Sequence, residues 1–168
     1  SAQWFVPLYE RLRREMLRQD IVNVDETRCH VLKEDGRESK QMSQMWVFCA
    51  PEKNIALYQY NPSRSGRVAK EMLQGFSGYA QTDGYSAYNC LESVTHVGCW
   101  AHARRKWVDC FVNNKAVEGS KSEAAFQLIE QMFALEHSLK NESPQKRFKQ
   151  RNQKLKPLLD QYWELLSN

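Results

Sequence analysis

The 168-residue sequence has no long apolar run and contains little glycine or proline. Its longest apolar stretches, residues 4–8 and 46–51, are far shorter than the roughly 20 residues that a membrane-spanning helix requires. With seven glycines, five prolines and 42% hydrophobic residues, the composition excludes collagen-like, low-complexity and disordered proteins. We therefore expect residues 1–168 to form one compact domain that does not enter a membrane.

A regular cysteine framework is also missing, because the sequence has five cysteines, an odd number. Most of them lie in apolar or strand-like stretches, where a free thiol behaves as a small hydrophobic group. A reducing cytoplasm is the simplest location for such a chain. Cys99 and His102 have the spacing of a zinc-binding pair, with Cys110 and His137 as more distant candidates. No second close pair completes four ligands, so a structural zinc site is the less favoured alternative.

Positive charge is concentrated in the last third of the chain. The net charge is +4, and residues 1–100 contain twelve basic and twelve acidic residues, so the excess lies in residues 101–168. Such a cluster attracts polyanions, most commonly nucleic acid, although a solvated helix face explains the charge pattern equally well. The basic residues between 140 and 156 face one acid, Glu142, and are Lys140, Lys146, Arg147, Lys149, Arg151, Lys154 and Lys156.

Apolar periodicity predicts strands in the first part of the chain and helices in the last. Predicted strands cover 21–24 (ending at Asp25, with 29–32 as a candidate continuation), 45–50, 55–60, 79–82 and 95–100. Predicted helices cover 4–19 (the leading helix within 1–20), 67–76, 87–92, 101–112, 122–140 and 144–166, the last kinked or divided by Pro157. Asp35 and Gly36 indicate a hairpin turn. The order is typical of an α/β fold with a mixed five-stranded sheet flanked by helices and a helical C-terminal part at 121–168.

Two aspartates directly follow predicted buried strands. Asp25 comes after the first strand, and Asp83 after the strand at 79–82. Ligands of open α/β sheets bind beyond the strand ends, so we expect these carboxylates to share a site. Carboxylates are ligands of hard cations, which favours Mg²⁺ or Mn²⁺. Taken singly, each aspartate is equally consistent with an ordinary loop-starting residue.

A third acidic candidate lies on the predicted helix at 122–140. Glu136 falls on the same helical stripe as Ile129, Met132 and Phe133, whereas Glu130 lies off it. A carboxylate on an apolar face needs a partner, because burying it unpaired costs about 2–7 kcal/mol or more. A metal ion shared with the two aspartates would serve, as would a basic residue at the edge of the stripe. Periodicity alone favours the basic partner, and Glu130 stays an alternative third acid.

Five segments, in order, resemble the catalytic domain of the IS66 family of bacterial insertion-sequence transposases. The Thr-Asp-Gly-Tyr and Cys-Trp-Ala-His-Ala-Arg-Arg blocks are the most specific of them. The resemblance extends from about residue 8 to residue 165. The matching segments are residues 24–27, 61–65, 75–85, 98–106 and 129–136.

The resemblance implies an RNase H-like fold and a triad of acids at Asp25, Asp83 and Glu136, in a fragment of a longer protein. Such a triad holds two Mg²⁺ or Mn²⁺ ions, with Asp25 shared between them, and catalyses DNA nicking and strand transfer. Two alternatives stay open. One is a non-catalytic nucleic-acid-binding or assembly fragment, and the other is a metal-dependent nuclease without strand transfer.

The implied partners are DNA, both transposon ends and target, together with further copies of the chain, other domains and accessory proteins of the element. The implied location is the bacterial cytoplasm, in association with the nucleoid. Arginine presents a planar fork that matches phosphate oxygens, so basic residues near the acids are the first candidates for DNA contacts. The predicted DNA-contacting residues are Arg64, Tyr85, His102, Arg104, Arg105, Lys106, Lys146, Arg147, Lys149 and Arg151.

Overall fold

The computed structural model describes residues 2–32, 36, 38, 40–113 and 115–167, except for the side chain of Ala2. The chain forms two compact units, Ser1–Cys99 and Trp100–Asn168. We call the first the sheet unit and the second the helical unit. Within the described residues, no helix is both long enough and apolar enough to cross a membrane.

The described part of the sheet unit contains a five-stranded mixed sheet in the order β3-β2-β1-β4-β5. The first three strands are antiparallel neighbours, and β4 and β5 continue the sheet in parallel with β1. The prediction of a mixed five-stranded sheet is therefore confirmed. The strands are β1 (Ile21–His30), β2 (Met42–Ala50), β3 (Ile55–Asn61), β4 (Tyr79–Thr82) and β5 (Thr95–Gly98).

Short helices connect and cover the strands of this unit. Helix α1 (Val6–Met16) follows a 3-10 turn at Ala2–Phe5 and begins at Val6 because Pro7, which lacks an N–H, suits the first turn of a helix. Helix α2 (Arg67–Met72) leads from β3 towards β4 and is shorter than predicted. Gly75 lies beyond its end with φ +85°, a left-handed conformation that turns the chain away from the helix axis. Two further 3-10 turns span Pro51–Lys53 and Ser86–Cys90.

The core of the sheet unit lies on one face of the sheet. Alternating residues of β1 and β2 point to it, and Trp46 and Phe48 are completely buried there. Met16 of α1 and Val68 of α2 pack into the same cluster. Trp46 is therefore a core residue and has no surface on which a base could stack.

The prediction that the first strand ends at Asp25 is wrong. Strand β1 runs on to His30, which pairs with Met42 of β2, and Asp25 itself pairs with Val47. What stops near Asp25 is the pairing with β4, whose last partners are Asn23 and Gln81. A long hairpin with β2 keeps the strand extended after its parallel neighbour has ended.

The hairpin between β1 and β2 encloses the turn predicted at Asp35–Gly36. Asp35 lies outside the residues that the structure describes, whereas Gly36 has φ +75°, the left-handed conformation that glycine tolerates best. The strands on either side are antiparallel, as a hairpin requires.

The helical unit contains helices in the C-terminal segments for which apolar periodicity predicts them. They are α3 (Trp100–Val108), α4 (Lys121–Ser138), α5 (Pro144–Gln150) and α6 (Lys156–Ser167). Ser120 and Ser143 cap α4 and α5 by accepting hydrogen bonds from the N–H groups of Glu123 and Lys146. A π-helical segment, Arg151–Leu155, separates α5 from α6. Pro157 follows in the first turn of α6, so the α-helical pattern is interrupted directly before the proline that the sequence analysis expects to kink or divide this helix.

An apolar cluster of its own stabilises the helical unit. Ile129 and Met132 of α4 and Tyr162 of α6 are buried, with Trp100 and Trp107 of α3 packed against them. The Trp107 indole N–H donates a hydrogen bond of 3.0 Å to the Tyr162 hydroxyl. Both tryptophans therefore serve the packing of this unit.

Candidate active site

The parallel pairing of β1 with β4 ends with Asn23 opposite Gln81. Asp25 lies two residues further along β1, and Asp83 directly follows the last residue of β4. Neighbouring strands are about 4.8 Å apart, so both acids belong to the same end of this strand pair. A common site for the two carboxylates, as the sequence analysis expects, stays a prediction.

The turn after β4 fixes the orientation of Asp83. Its Oδ1 accepts a hydrogen bond of 2.8 Å from the Tyr85 N–H, and Gly84 between them has φ +82°. Thr82 Oγ1 accepts a further bond of 3.2 Å from the Gly84 N–H. Asp25 Oδ1 accepts a bond of 2.9 Å from the N–H of Glu26. These local bonds hold both carboxylates close to the main chain of their own strands.

A buried carboxylate, that of Glu26, directly follows Asp25 in the sequence. Together with the residues around it, it forms a group that we call the Glu26 cluster, made of Glu26, Arg64, Tyr85 and Tyr88. The Glu26 side chain is 1% exposed and forms an ion pair of 2.6 Å with Arg64. The Tyr88 hydroxyl donates a hydrogen bond to the other carboxylate oxygen. The Arg64 guanidinium lies over the ring of Tyr85, 4.0 Å from its centroid.

The electrostatics of the cluster follow from this negative charge. Burial raises the pKa of the Tyr88 hydroxyl far above its usual value, and the hydrogen bond to Glu26 raises it further, as do the charges of Asp83 and Asp25. The hydrogen bond to Glu26 likewise raises the pKa of Arg64, with a smaller contribution from Asp83. Tyr88 is thus a hydrogen-bond donor and Arg64 a permanent cation at neutral pH.

Sequence reasoning missed Glu26 and Tyr88. A signal for Glu26 was present, because Val22, Val24 and Glu26 share one face of a strand and the first two are buried. An acid at the third position of a buried face requires partners, and Arg64 and Tyr88 supply them. No short-range pattern marks Tyr88, since its partner is 62 residues away in the sequence.

Glu136, the predicted third acid, lies on α4 in the helical unit. It accepts two parallel hydrogen bonds from the Arg151 guanidinium, of 2.8 Å and 2.7 Å, and its side chain is 34% exposed. The hydrogen bond to Glu136 raises the pKa of Arg151. This pairing is the basic partner that helix periodicity favoured. The two residues also line a mainly apolar cavity of about 270 Å³ with Trp100 and Phe133.

The described residues contain no group of three or more His, Cys, Asp or Glu side chains placed to hold a metal ion. This holds for the zinc alternative at Cys99 and His102 as well as for the acids. Asp25 and Asp83 nevertheless fit a hard cation by their chemistry, because carboxylates are the donors that Mg²⁺ and Mn²⁺ prefer. The role of Glu136 stays a prediction.

The predicted DNA-contacting residues of α3 differ in how they are placed. Arg105 and Lys106 are exposed, whereas Arg104 pairs with Glu130 and lies 4.7 Å from the centroid of the Phe126 ring. His102 on the same helix is half-buried. Arg105 and Lys106 are therefore the residues of α3 that a polyanion reaches most readily.

On α5 and the π-helical segment, ion pairs with glutamates neutralise part of the positive charge. Lys146 pairs with Glu142 at 2.7 Å, and Arg151 with Glu136. Lys149 is exposed and Arg147 half-buried. Both alternatives from the sequence analysis, a DNA-binding surface and a solvated helix face, are therefore consistent with the structure at these residues.

The model of the family described as "Transposase IS66 family" matches residues 1–168, so the chain belongs to this family of transposases. It is similar to the uncharacterized protein y4jD of Sinorhizobium fredii (strain NBRC 101917 / NGR234), with 30% identity over 178 residues that cover 95% of the chain and 34% of y4jD.

The uncharacterized protein y4hP of the same organism is 20% identical over 185 residues, which cover 96% of the chain and 33% of y4hP. The chain thus spans about a third of the length of these two relatives. No solved structure matches the chain with significance.

Proposed function

We propose that this chain is the catalytic domain of a transposase, with an RNase H-like fold, and that it nicks DNA and transfers strands with Asp25, Asp83 and Glu136. Membership of the transposase family supports the general role. The observation that supports the catalytic proposal is the parallel pairing of β1 with β4, which ends two residues before Asp25 and two residues before Asp83. The strand order, three antiparallel strands continued by two parallel ones, supports the RNase H-like fold.

Asp25 and Asp83 would hold divalent cations, Mg²⁺ or Mn²⁺, with Glu136 as the third carboxylate. Two such ions supply a nucleophilic oxygen near neutral pH and neutralise the charge that develops on the leaving 3′ oxygen. Arg64, anchored on Glu26 beside the aspartates, orients the DNA backbone by its phosphate oxygens. A carboxylate pair and a fixed cation together suit a phosphodiester substrate.

Glu136 must leave Arg151 to act as a ligand, and the cost of doing so is small. The two side chains are 34% and 48% exposed, and ion pairs at that exposure contribute about 0–1 kcal/mol. A divalent cation offers Glu136 a stronger partner than one guanidinium does. The observed pairing is therefore compatible with the proposed role.

DNA is the proposed partner, as transposon ends and as target, and pairing two ends calls for self-association. The chain spans about a third of the length of these two relatives. We propose that it is a fragment of a longer protein, whose other segments select the DNA ends together with accessory proteins of the element. We also propose that the complete protein works in the bacterial cytoplasm in association with the nucleoid.

Nicking of supercoiled plasmid in the presence of Mn²⁺ or Mg²⁺ tests the proposal. We expect Asp25→Asn, Asp83→Asn and Glu136→Gln each to abolish nicking while the fold is retained, because each removes a charged ligand. Glu130→Gln, about 1.7 turns away on the same helix, is the matched control and should nick as the parent does. Parental nicking by Asp25→Asn would refute the catalytic proposal, and loss of nicking in Glu130→Gln instead of Glu136→Gln would move the third acid. Joined products in a strand-transfer assay separate a transposase from a simple nuclease.

A second candidate function is a non-catalytic DNA-binding or assembly domain. The pairing of Glu136 with Arg151 and the lack of a metal-binding group of three among the described residues favour it. Titration with Mn²⁺ by calorimetry discriminates between the two. A catalytic domain should show binding heat that Asp25→Asn and Asp83→Asn remove, and an idle site should show none.

A further inference from the structure

We propose that Glu26 is a positioning residue that presets Arg64 as a phosphate-binding fork beside Asp25 and Asp83. This inference rests on the proposed DNA-processing function and adds a residue that acts through Arg64. It is carried by the contacts and the burial of the Glu26 cluster.

The pair is anchored at one end and open at the other. The Glu26 side chain is 1% exposed, whereas that of Arg64 is 42% exposed. Arg64 Nε donates to Glu26 Oε1 over 2.7 Å, and a terminal guanidinium nitrogen lies 2.6 Å from the same oxygen. The Tyr88 hydroxyl donates to Oε2, so both oxygens of the buried carboxylate have a partner. Glu26 is therefore a fixed point within the fold, and the guanidinium extends from it towards solvent.

Contacts at both its edge and its face restrict the orientation of the Arg64 guanidinium. Its edge is held by Glu26, and its face lies 4.0 Å from the centroid of the Tyr85 ring. Tyr85 is itself tied to the site, since its N–H donates to Asp83 Oδ1. A guanidinium fixed at edge and face loses little freedom when it binds an anion, which is the condition for effective phosphate contact.

The loop that carries Arg64 is also ordered by its own side chains. Asn61 Oδ1 accepts a hydrogen bond of 2.8 Å from the Ser63 N–H, and Ser63 Oγ accepts one of 3.1 Å from the Ser65 N–H. The Trp46 indole N–H reaches the Ser63 carbonyl over 3.4 Å. The main chain on both sides of Arg64 is thus connected to the core and to α2.

Glu26 also keeps Arg64 from pairing with the proposed metal-binding acids. Asp83 is linked to the ring that Arg64 covers, because the Tyr85 N–H donates to Asp83 Oδ1. Its carboxylate is therefore the alternative partner of Arg64 in a variant that lacks the Glu26 carboxylate. Arg64 on Asp83 would no longer point at DNA. Glu26 thus keeps the Arg64 guanidinium apart from the carboxylates of the proposed metal site.

A double-mutant cycle on DNA affinity tests this inference. Binding of the 168-residue chain to a fluorescent DNA duplex is measured in excess EDTA, so that neither metal nor nicking contributes. We expect Glu26→Gln and Arg64→Ala each to weaken binding about tenfold or more, the scale of one hydrogen bond to a charged group. The double variant should bind no more weakly than Arg64→Ala alone, because Glu26 acts through Arg64.

The control is a second arginine–glutamate pair of the same unit. Glu71→Gln breaks the exposed pair with Arg67, of 2.6 Å on α2, and should leave DNA affinity unchanged. Arg64→Lys is a variant that does not depend on how well Glu26→Gln folds. It keeps the charge but loses the fork, so its affinity should match that of Arg64→Ala within about twofold.

Parental affinity of Glu26→Gln, additive losses in the double variant, or parental affinity of Arg64→Lys would each overturn the inference. Absence of DNA binding by the parent chain in EDTA would overturn it too. Failure of the proposed function gives a different result, namely nicking that survives Asp25→Asn, whatever the affinities of the Glu26 variants.

Discussion

A methyl group added at Gly66 should disrupt the sheet unit next to the candidate site. Gly66 lies directly before α2, and a Cβ atom built there would be 1.9 Å from the Ala87 carbonyl oxygen and 2.9 Å from Cys90 Sγ. Ordinary contacts of a Cβ atom begin at 3.4 Å, so the turn at Ser86–Cys90 must move by about 1.5 Å to admit alanine. That turn contains Tyr88, whose hydroxyl donates to Glu26.

Two opposing effects decide the size of the change. Gly66 has φ −58°, a conformation that alanine adopts freely, so alanine would gain at most about 1 kcal/mol in backbone preference. Overpacking against main-chain atoms costs typically 1–3 kcal/mol and sometimes more, and the movement weakens the hydrogen bond from Cys90 Sγ to the Gly66 carbonyl. We expect a net loss of about 2 kcal/mol in the free energy of unfolding, which lowers the melting temperature by roughly 4–8 °C.

Thermal and urea unfolding of Gly66→Ala measure this loss. Gly98→Ala is the matched control, because a Cβ atom there meets nothing within 4 Å, and its stability should stay within about 0.5 kcal/mol of the parent's. The DNA affinity of Gly66→Ala should fall as well, since displacement of Tyr88 loosens the Glu26 cluster. A Gly66→Ala chain as stable as Gly98→Ala would refute the close approach of α2 to this turn.

Two further predictions concern the helical unit. Trp107→Phe removes the N–H donor to the buried Tyr162 hydroxyl and should lower the free energy of unfolding by about 1–3 kcal/mol in urea; equal stability of parent and variant would contradict that bond. Arg105→Ala should weaken DNA binding and reduce the slope of log affinity against log salt by about 1, since Arg105 is exposed. Arg104→Ala should change that slope less, because Glu130 already pairs with Arg104, and the reverse order of the two effects would contradict the assignment.

The sheet was predictable from the sequence because its strands are marked locally. Alternating or continuous apolar runs with turn residues between them identified four strands of the described sheet within a few residues, and the start of the fifth, β1. The length of β1 was not predictable in the same way. Asp25 is a poor strand former on its own, and the pairing with β2 that keeps it extended is a tertiary effect.

The candidate site was predictable only in part. Asp25 and Asp83 were chosen because each follows a predicted buried run, and a parallel sheet brings such positions to one edge. Arg64 was chosen as a basic loop residue, but its partner Glu26 is 38 residues away in the sequence and was missed. Tyr88, the second partner of Glu26, is 62 residues from it and was missed as well. Helix periodicity put Glu136 on the apolar stripe and favoured a basic partner, which the structure identifies as Arg151.

The proximity that we propose for Asp25 and Asp83 depends on the register between β1 and β4. Antiparallel pairing places Val47 opposite Asp25, so a second acid at that level can come only from β4 on the other side. The Tyr79 N–H donates to the Asp20 carbonyl over 2.8 Å and begins that register, and a Cβ atom at Gly78 would lie 2.4 Å from the same oxygen. Glycine is required there for the strands to meet. A slip of one residue would turn the Asp83 side chain to the opposite face, so this close approach positions the proposed metal ligands.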